Sequence, residues 1–274
     1  MDKAFILNSN IAPGQAGIFY LGQVGYLIGC NGKYVLIDGY LSDYVDKNCS
    51  SELVNWVRRY EPPIKAEELD FVDYVFCTHA HYDHADPETL KIISETNKKA
   101  RFFCSQAIVN DLLERGVPAE RLMGLKADSP FSLSEGISVT LVPSAHEELH
   151  TDENGDYLEA GFRFAFGKIS LYHAGDCCPY DGLLERIKNT DILILPVNGR
   201  DYFRTNVQDI IGNFTAREAV LYAKEANAKL LIPSHYDLYG VNCIHPSEFV
   251  TEVYEINPGQ RFHMFVPGEL YVYA

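Results

Sequence analysis

Thr78-His79-Ala80-His81-Tyr82-Asp83-His84 places three imidazoles and a carboxylate within six residues, directly behind the apolar run Phe71–Cys77 (FVDYVFC). That run is short and rich in aromatic and β-branched residues, the composition of a buried strand. Behind the histidines, Asp86-Pro87 reads as a helix N-cap with a first-turn proline. A loop at the carboxyl end of a strand lets closely spaced side chains fan into one small volume. Imidazole nitrogen and carboxylate oxygen are the donors that hold zinc, manganese or iron. A surface loop that happens to be His-rich would carry the same letters, but the strand before it and the helix after it favour a metal site.

One cluster cannot saturate two metals, and further donors stand at other strand ends. Val142-Pro143-Ser144-Ala145-His146, Leu171-Tyr172-His173-Ala174-Gly175-Asp176 and Leu231-Ile232-Pro233-Ser234-His235 each end an apolar run on a histidine or an aspartate. Singly, each is more often a structural histidine or a Gly-Asp turn. At matching positions in successive β-units they complete a seven-donor set: His79, His81, Asp83, His84, His146, Asp176 and His235.

The rest of the chain supplies the frame. Ile18–Ile28 and Tyr34–Asp38 read as strands joined through an Asn-Gly turn, followed by a helix around Ser51–Tyr60. Helices are expected from the Asp86 cap to Thr96 and over Gln106–Arg115, with a strand at Arg101–Cys104 between them. Strands Ile137–Val142, Gly161–Phe166 and Ile169–His173 precede a helix at Tyr180–Lys188 and a strand at Ile192–Val197. Helix Ala216–Asn227 starts behind the capping box Thr215-x-x-Glu218, then strand Leu230–Pro233, helix Pro246–Ile256 and two closing strands follow. Two β-rich halves, each flanked by helices, imply an α+β, four-layer αββα sandwich, expected as one domain over residues 1–274.

Of 274 residues, 47% are hydrophobic and 22% charged, enough to bury a sizeable core. The charge balance, 23 Lys+Arg against 38 Asp+Glu, gives −15, a surface that repels nucleic acid. It leaves room for a small anionic ligand held by local cations. The longest apolar runs, such as Asp191–Val197 (DILILPV), cannot span a bilayer, so no membrane partner is expected. The opening MDKAFILNSN lacks a signal-peptide pattern, and seven irregularly spaced cysteines read as reduced thiols, so a cytoplasmic location is expected.

The pattern His79-x-His81-x-Asp83-His84 with His146, Asp176 and His235 resembles the metallo-β-lactamase superfamily of binuclear hydrolases, whose fold is the αββα sandwich. Ile11-Ala12-Pro13-Gly14, Phe19-Tyr20-Leu21-Gly22, Leu171–Asp176, Ile232–Asp237 and Arg261–Leu270 are further similar to its L-ascorbate-6-phosphate lactonase branch. The resemblance implies two divalent ions (Mn2+ or Zn2+, with Fe2+ also suited). His79, His81 and His146 would hold one, Asp83, His84 and His235 the other, and Asp176 would bridge them. A metal-bridging hydroxide would attack the lactone carbonyl, with Asp83 also passing a proton to the leaving oxygen. The chain departs from the branch in shorter stretches between Gly39 and Phe71 and around His150–Tyr157. It also differs in Glu147–His150, where His150 could compete with His146, and in Cys177-Cys178, read as packed under the loop.

Substrate contacts are expected after the Ile192–Val197 strand, where Asn198, Arg200 and Arg204 stand in a Gly-containing loop. Arginine reads phosphate or carboxylate through two oxygens. An Arg200 clamp to Asp201 or Asp209 is the equally weighted structural alternative. Tyr236, Asp237 and Tyr239 could line the pocket, while His173 is expected to orient a neighbour, His245 to start a helix, and Trp56 to sit in core or interface. The expected function is hydrolysis of a small phosphorylated or anionic sugar-derived lactone. The alternatives are a phosphodiesterase for a nucleotide or phospholipid headgroup, or a non-enzymatic metal-dependent binding or sensing protein. A homo-oligomer is left open.

Overall fold

The computed structural model describes residues 1–274. Thirteen strands form two mixed sheets. The first sheet contains β1 (Ala16–Gly22), β2 (Gly25–Cys30), β3 (Lys33–Ile37), β4 (Tyr74–Phe76), β5 (Arg101–Ser105) and β6 (Leu122–Leu125) in sequence order. The second holds β7 (Pro130–Ser134), β8 (Ile137–Pro143), β9 (Ala160–Phe166), β10 (Ile169–His173), β11 (Ile192–Pro196) and β12 (Leu230–Ser234), also in sequence order. β13 (Leu270–Tyr273) returns to pair antiparallel with β1. Each sheet begins as an antiparallel meander and finishes with parallel strands, β3 to β6 and β10 to β12.

Parallel pairs need crossovers, and helices supply most of them. In chain order these are α1 (Lys3–Leu7), α2 (Tyr44–Asn48), α3 (Pro87–Thr96), α4 (Val109–Glu114), α5 (Leu183–Ile187), α6 (Tyr202–Val207), α7 (Ala216–Glu225) and α8 (Pro246–Ile256). The apolar residues divide into three layers, as side-chain alternation along a strand requires. Ile18, Ile37, Phe76, Phe164, Ile194 and Ile232 meet between the sheets. Phe19, Leu36, Val75 and Phe102 face outward onto Leu90, Ile93 and Leu112 of α3 and α4. Leu193, Leu195 and Leu231 face outward onto Leu183, Val220 and Phe249 of α5, α7 and α8. Both faces of the central strands are covered, which is why their sequences read as continuous apolar runs. The architecture is the expected αββα sandwich.

Several local expectations change. Ile18–Ile28 is two strands rather than one, because Gly22 (φ +102) and Gln23 (φ +57) turn the chain back at Gly22–Gly25. No helix forms over Ser51–Tyr60. There Ser50 and Ser51 hydroxyls accept from the Trp56, Leu53 and Val54 amides, a local competition that displaces helical bonding. The short helix lies earlier, as α2. The Tyr180–Lys188 helix is confined to α5, and only one closing strand, β13, follows α8. The capping calls at α3 and α7 agree with the structure: Asp86 accepts from the Glu88 amide, and Thr215 with Glu218 forms a full capping box.

β4 is the thinnest element and carries the histidine loop. Its Phe76 ring stacks on Phe103 (centroids 4.8 Å apart, 12°) and meets Phe162 and Phe164 edge-on. We expect Phe76→Ala to cost about 3–5 kcal/mol in a urea unfolding titration, the usual range for a buried phenylalanine truncation. A loss below 1 kcal/mol would show that the inter-sheet core does not hold β4 in place.

Candidate metal centre

The strand directions bring the donors to one edge. β1, β3 and β4 run the same way in the first sheet, and β8, β10 and β12 share a direction in the second. Their carboxyl ends deliver Gln23, Asp38, the His79–His84 loop, His146, Asp176 and His235 to a crevice between the sheets. A crevice at the carboxyl ends of strands is the usual ligand position in mixed α/β sheets.

All seven expected donors converge. His79, His81 and His146 form one group whose ligand atoms lie within 4.8 Å of one another; Asp83, His84 and His235 form a second, and His79, His84 and Asp176 a third. His79 Nε2 is 2.9 Å from His81 Nδ1, and His146 Nε2 is 3.3 Å from that same atom. Asp176 lies between the groups: its carboxylate is 3.3 Å from His84 Nε2, 3.5 Å from His235 Nε2 and 3.8 Å from His146 Nε2. Asp83 Oδ2 is 3.6 Å from His235 Nε2 and 3.8 Å from His84 Nε2.

Side chains behind the donors fix their orientation. Asp38, buried at the end of β3, accepts from the Thr78 amide (2.8 Å), the Thr78 hydroxyl (2.7 Å) and His84 Nδ1 (2.8 Å). That bond places the proton on His84 Nδ1 and leaves Nε2 facing the crevice. Gln23 Nε2 donates to Asp83 Oδ2 (2.9 Å), and the Gln23 carbonyl accepts from the His235 amide (2.8 Å). Arg115 reaches from beyond α4 to the Ala80 and Ala85 carbonyls, bracing the histidine loop from outside. Gly175 turns at φ +63, and a Cβ there would lie 2.7 Å from the Thr78 Cβ, so only glycine lets Asp176 approach the loop. Asp38, Gln23 and Arg115 were not read from the sequence. Asp38 had a usable signal, a carboxylate ending a strand (YVLID) beside the histidine-bearing one.

Burial of the first histidine group suits a cation. Burial lowers the pKa of His79 and His81, and pushes His146 down to about 4, so these rings favour the neutral, ligating form. Burial opposes ionisation of Asp83 and Asp176, yet the neighbouring His84 and His235 hold both below the ordinary carboxylate value. Burial also opposes a charge on His84, but Asp176, Asp83 and Asp38 together hold its pKa well above the ordinary imidazole value. His84 Nε2 and Asp176 Oδ1 are buried and face each other at 3.3 Å, with no other partner in the protein. Buried polar atoms are usually satisfied more fully than this, and a divalent ion held by the pair would do so. The donor set therefore fits the metals that the sequence implies.

The remaining expectations divide. His146 belongs to the donor group, whereas His150 is exposed and pairs with Glu159 at 3.3 Å. Cys177 and Cys178 are buried, bonding to the carbonyls of Cys178 and Gly212. His173 bonds the Val24 carbonyl and the Gly175 amide, and His245 caps α8. The four expected substrate residues do not line the cavity. Arg200 is clamped by both oxygens of Glu218 at 2.7 Å, rather than by Asp201 or Asp209. Arg204 binds Asp201 and the Asn198 carbonyl from α6, a helix capped by Asp201 where a loop was expected. Asn198 is fully buried, bonded to Asn213 and Asn242, and the buried Tyr236 hydroxyl donates to the Phe265 carbonyl. Tyr239 does line the cavity, and so does Trp56, which was expected in core or interface.

Residues 34–236 match the model of the Beta-lactamase superfamily domain, and the chain belongs to that superfamily. Its sandwich is the metallo-β-lactamase fold. The chain is 24% identical over 253 residues to a UPF0173 metal-dependent hydrolase of Caldivirga maquilingensis, an alignment spanning 92% of this chain and 95% of that protein. Igni18, a metallo hydrolase of Ignicoccus hospitalis, superposes with a TM-score of 0.69 at 21% identity, covering 95% of this chain and 99% of its own. An isothiocyanate hydrolase from Delia radicum gut bacteria superposes with a TM-score of 0.74 at 18% identity, covering 93% and 98%. No helix is long and apolar enough to cross a membrane.

Replacing Asp38 by Asn would set an amide N–H2 against the donors of Thr78 and His84. We expect Asp38→Asn to bind zinc about 10–100-fold more weakly in a chelator-competition titration, the range for loss of a ligand's orienting partner. Unchanged zinc affinity would detach Asp38 from the site.

Proposed function

We propose that the chain is a metal-dependent hydrolase that opens a small lactone or ester. His79, His81 and His146 would hold one divalent ion, Asp83, His84 and His235 a second, with Asp176 shared between them. The observation that carries this reading is the convergence of seven His and Asp side chains on one crevice, five of which (His81, Asp83, His146, Asp176 and His235) line an open cavity. Divalent ions in such a site supply a water-derived nucleophile at neutral pH and polarise the oxygen under attack. The protein's own contribution is positioning and proton handling. Asp38 and Gln23 hold His84 and Asp83 in place, so the donors need not reorganise during turnover. Asp83, with its side chain 19% exposed against 6% for Asp176, is the more open of the two donor carboxylates that line the cavity. It is placed to carry a proton to the departing alkoxide.

The phosphate-reading part of the sequence expectation loses its carriers. Arg200 and Arg204 are both held by carboxylates of the protein, and no lysine or arginine lines the cavity. The same holds for the phosphodiesterase alternative. What supports hydrolysis is the donor set together with the relatives named metal-dependent hydrolases; the choice of an acyl bond rests on the absence of cationic residues from the cavity lining.

Protein stripped with a chelator should hydrolyse neither lactones nor esters, and should regain activity with zinc or manganese. His81→Ala, reconstituted in parallel, should fall at least about 100-fold in kcat/KM, as loss of one catalytic-metal ligand implies. Full activity in the stripped protein, or in His81→Ala, would defeat the metal-dependent reading.

A further inference from the structure

Resting on that hydrolase reading, we propose that Asn242 is the substrate-positioning donor of the cavity. The substrate it serves is a small uncharged acyl compound with an aromatic or branched aliphatic body. The cavity has a volume of about 310 Å3, at the lower end of small-molecule sites. Opposite the metal donors its wall is Val45, Trp56, Ile210, Ile211 and Tyr239. Trp56 packs edge-on to Tyr239 (centroids 5.1 Å apart, 82°). The Tyr239 hydroxyl bonds Asp46 (2.7 Å) and Tyr40 (2.8 Å), which fixes this aromatic wall from behind. The charged group among the lining residues outside the donor set is Asp209, which would repel a phosphate or carboxylate. The wall accepts an apolar body and offers an anionic one no partner away from the metal donors.

Asn242 gives that wall a fixed polar point. Its Oδ1 accepts from Asn198 Nδ2 (2.8 Å) and from Arg204 Nη1 (3.3 Å). A guanidinium has donors only, so the amide oxygen must face Arg204 and the amide cannot flip. Asn198 is locked in turn, its Oδ1 accepting from Asn213 Nδ2 (3.0 Å). Both donors that reach the Asn242 side chain, from Asn198 and Arg204, meet its oxygen; its Nδ2 bonds no protein acceptor, and the residue lines the cavity. A fixed, neutral N–H donor suits a carbonyl or ring oxygen. Asn198 and Arg204 then serve substrate binding indirectly, as positioning residues.

Trp56 is the sole tryptophan, so intrinsic fluorescence reports occupancy of this cavity without turnover. Zinc-loaded protein is titrated with 2-tetralone, a neutral ketone that cannot be hydrolysed, and separately with L-ascorbate 6-phosphate. Its lactone counterpart, 3,4-dihydrocoumarin, gives kcat and KM. We expect 2-tetralone to quench Trp56 at lower concentration than the phosphorylated lactone. Asn242→Asp keeps the shape and the Arg204 contact but removes the N–H donor. It should weaken 2-tetralone binding and raise KM for dihydrocoumarin by about 3–10-fold, with zinc content unchanged, as loss of one neutral hydrogen bond implies. Tighter binding of L-ascorbate 6-phosphate than of 2-tetralone in the unmodified protein would overturn the proposal without reference to any variant. So would undiminished 2-tetralone binding by Asn242→Asp. If 2-tetralone binds as expected but zinc-loaded protein turns over neither lactone, the cavity assignment holds and the hydrolase reading fails.

Discussion

The Asp38 carboxylate is buried, and it accepts from the Thr78 amide, the Thr78 hydroxyl and His84 Nδ1. These bonds tie the end of β3 to the loop leaving β4, so a structural link between two parallel strands is also the link that aims a candidate ligand. A buried carboxylate persists only when its donors are in place, and removing one partner of such a group typically costs several kcal/mol. Loop position and fold stability are therefore coupled at this point. The second sheet is fastened to the same edge by polar bonds through the Gly22–Gly25 turn. The His235 amide donates to the Gln23 carbonyl at 2.8 Å, and His173 Nε2 bonds the Val24 carbonyl at 2.9 Å. Apolar packing holds the sheets together along their length, while directional bonds set their register where the donors meet.

The positions of the candidate donors were legible because strand ends are legible. An apolar run that stops at a cluster of His and Asp states both where the chain emerges and what it presents, and His79 to His84, His146, Asp176 and His235 all obeyed that rule. The αββα layering was legible for a related reason, since strands covered on both faces read as unbroken apolar runs. What failed depended on partners far away in sequence. Arg200 pairs with Glu218 on α7 rather than with its neighbours Asp201 or Asp209, and no local pattern announces an 18-residue separation. The Ser51–Tyr60 segment has a plausible helical composition, but serine hydroxyls bond its amides and Arg58 bridges to Tyr239, drawing it into the cavity wall. Gln23 was hidden by the assumption of one long strand. A glycine pair at Gly22 and Gly25 was the signal that the chain turned there.

The candidate metal donors and the wall that faces them come from different parts of the chain. The donors stand just past the ends of β4, β8, β10 and β12, whereas the facing wall comes from residues 45–56, 209–211 and 239–242. The first of these wall segments lies within the stretch between Gly39 and Phe71, outside every donor-bearing loop. A change there leaves the donor geometry alone, because Asp38 and Thr78 fix the histidine loop from the sheet side and Arg115 braces it from α4. The wall can therefore vary without disturbing the candidate metal donors, and in this chain it carries no lysine or arginine. The arginines near the mouth were free in principle to read an anion. Arg58 lies over the Tyr40 ring and near Asp46, Arg200 is clamped by Glu218, and Arg204 is held by Asp201 and the Asn198 and Asn242 oxygens. A guanidinium already forked onto a carboxylate must give up those bonds to bind a phosphate, which sets any gain against a loss of similar size. Asp209 at the rim adds a repulsive term. Within a protein of net charge −15, that arrangement supports the proposal of a substrate carrying no charge of its own.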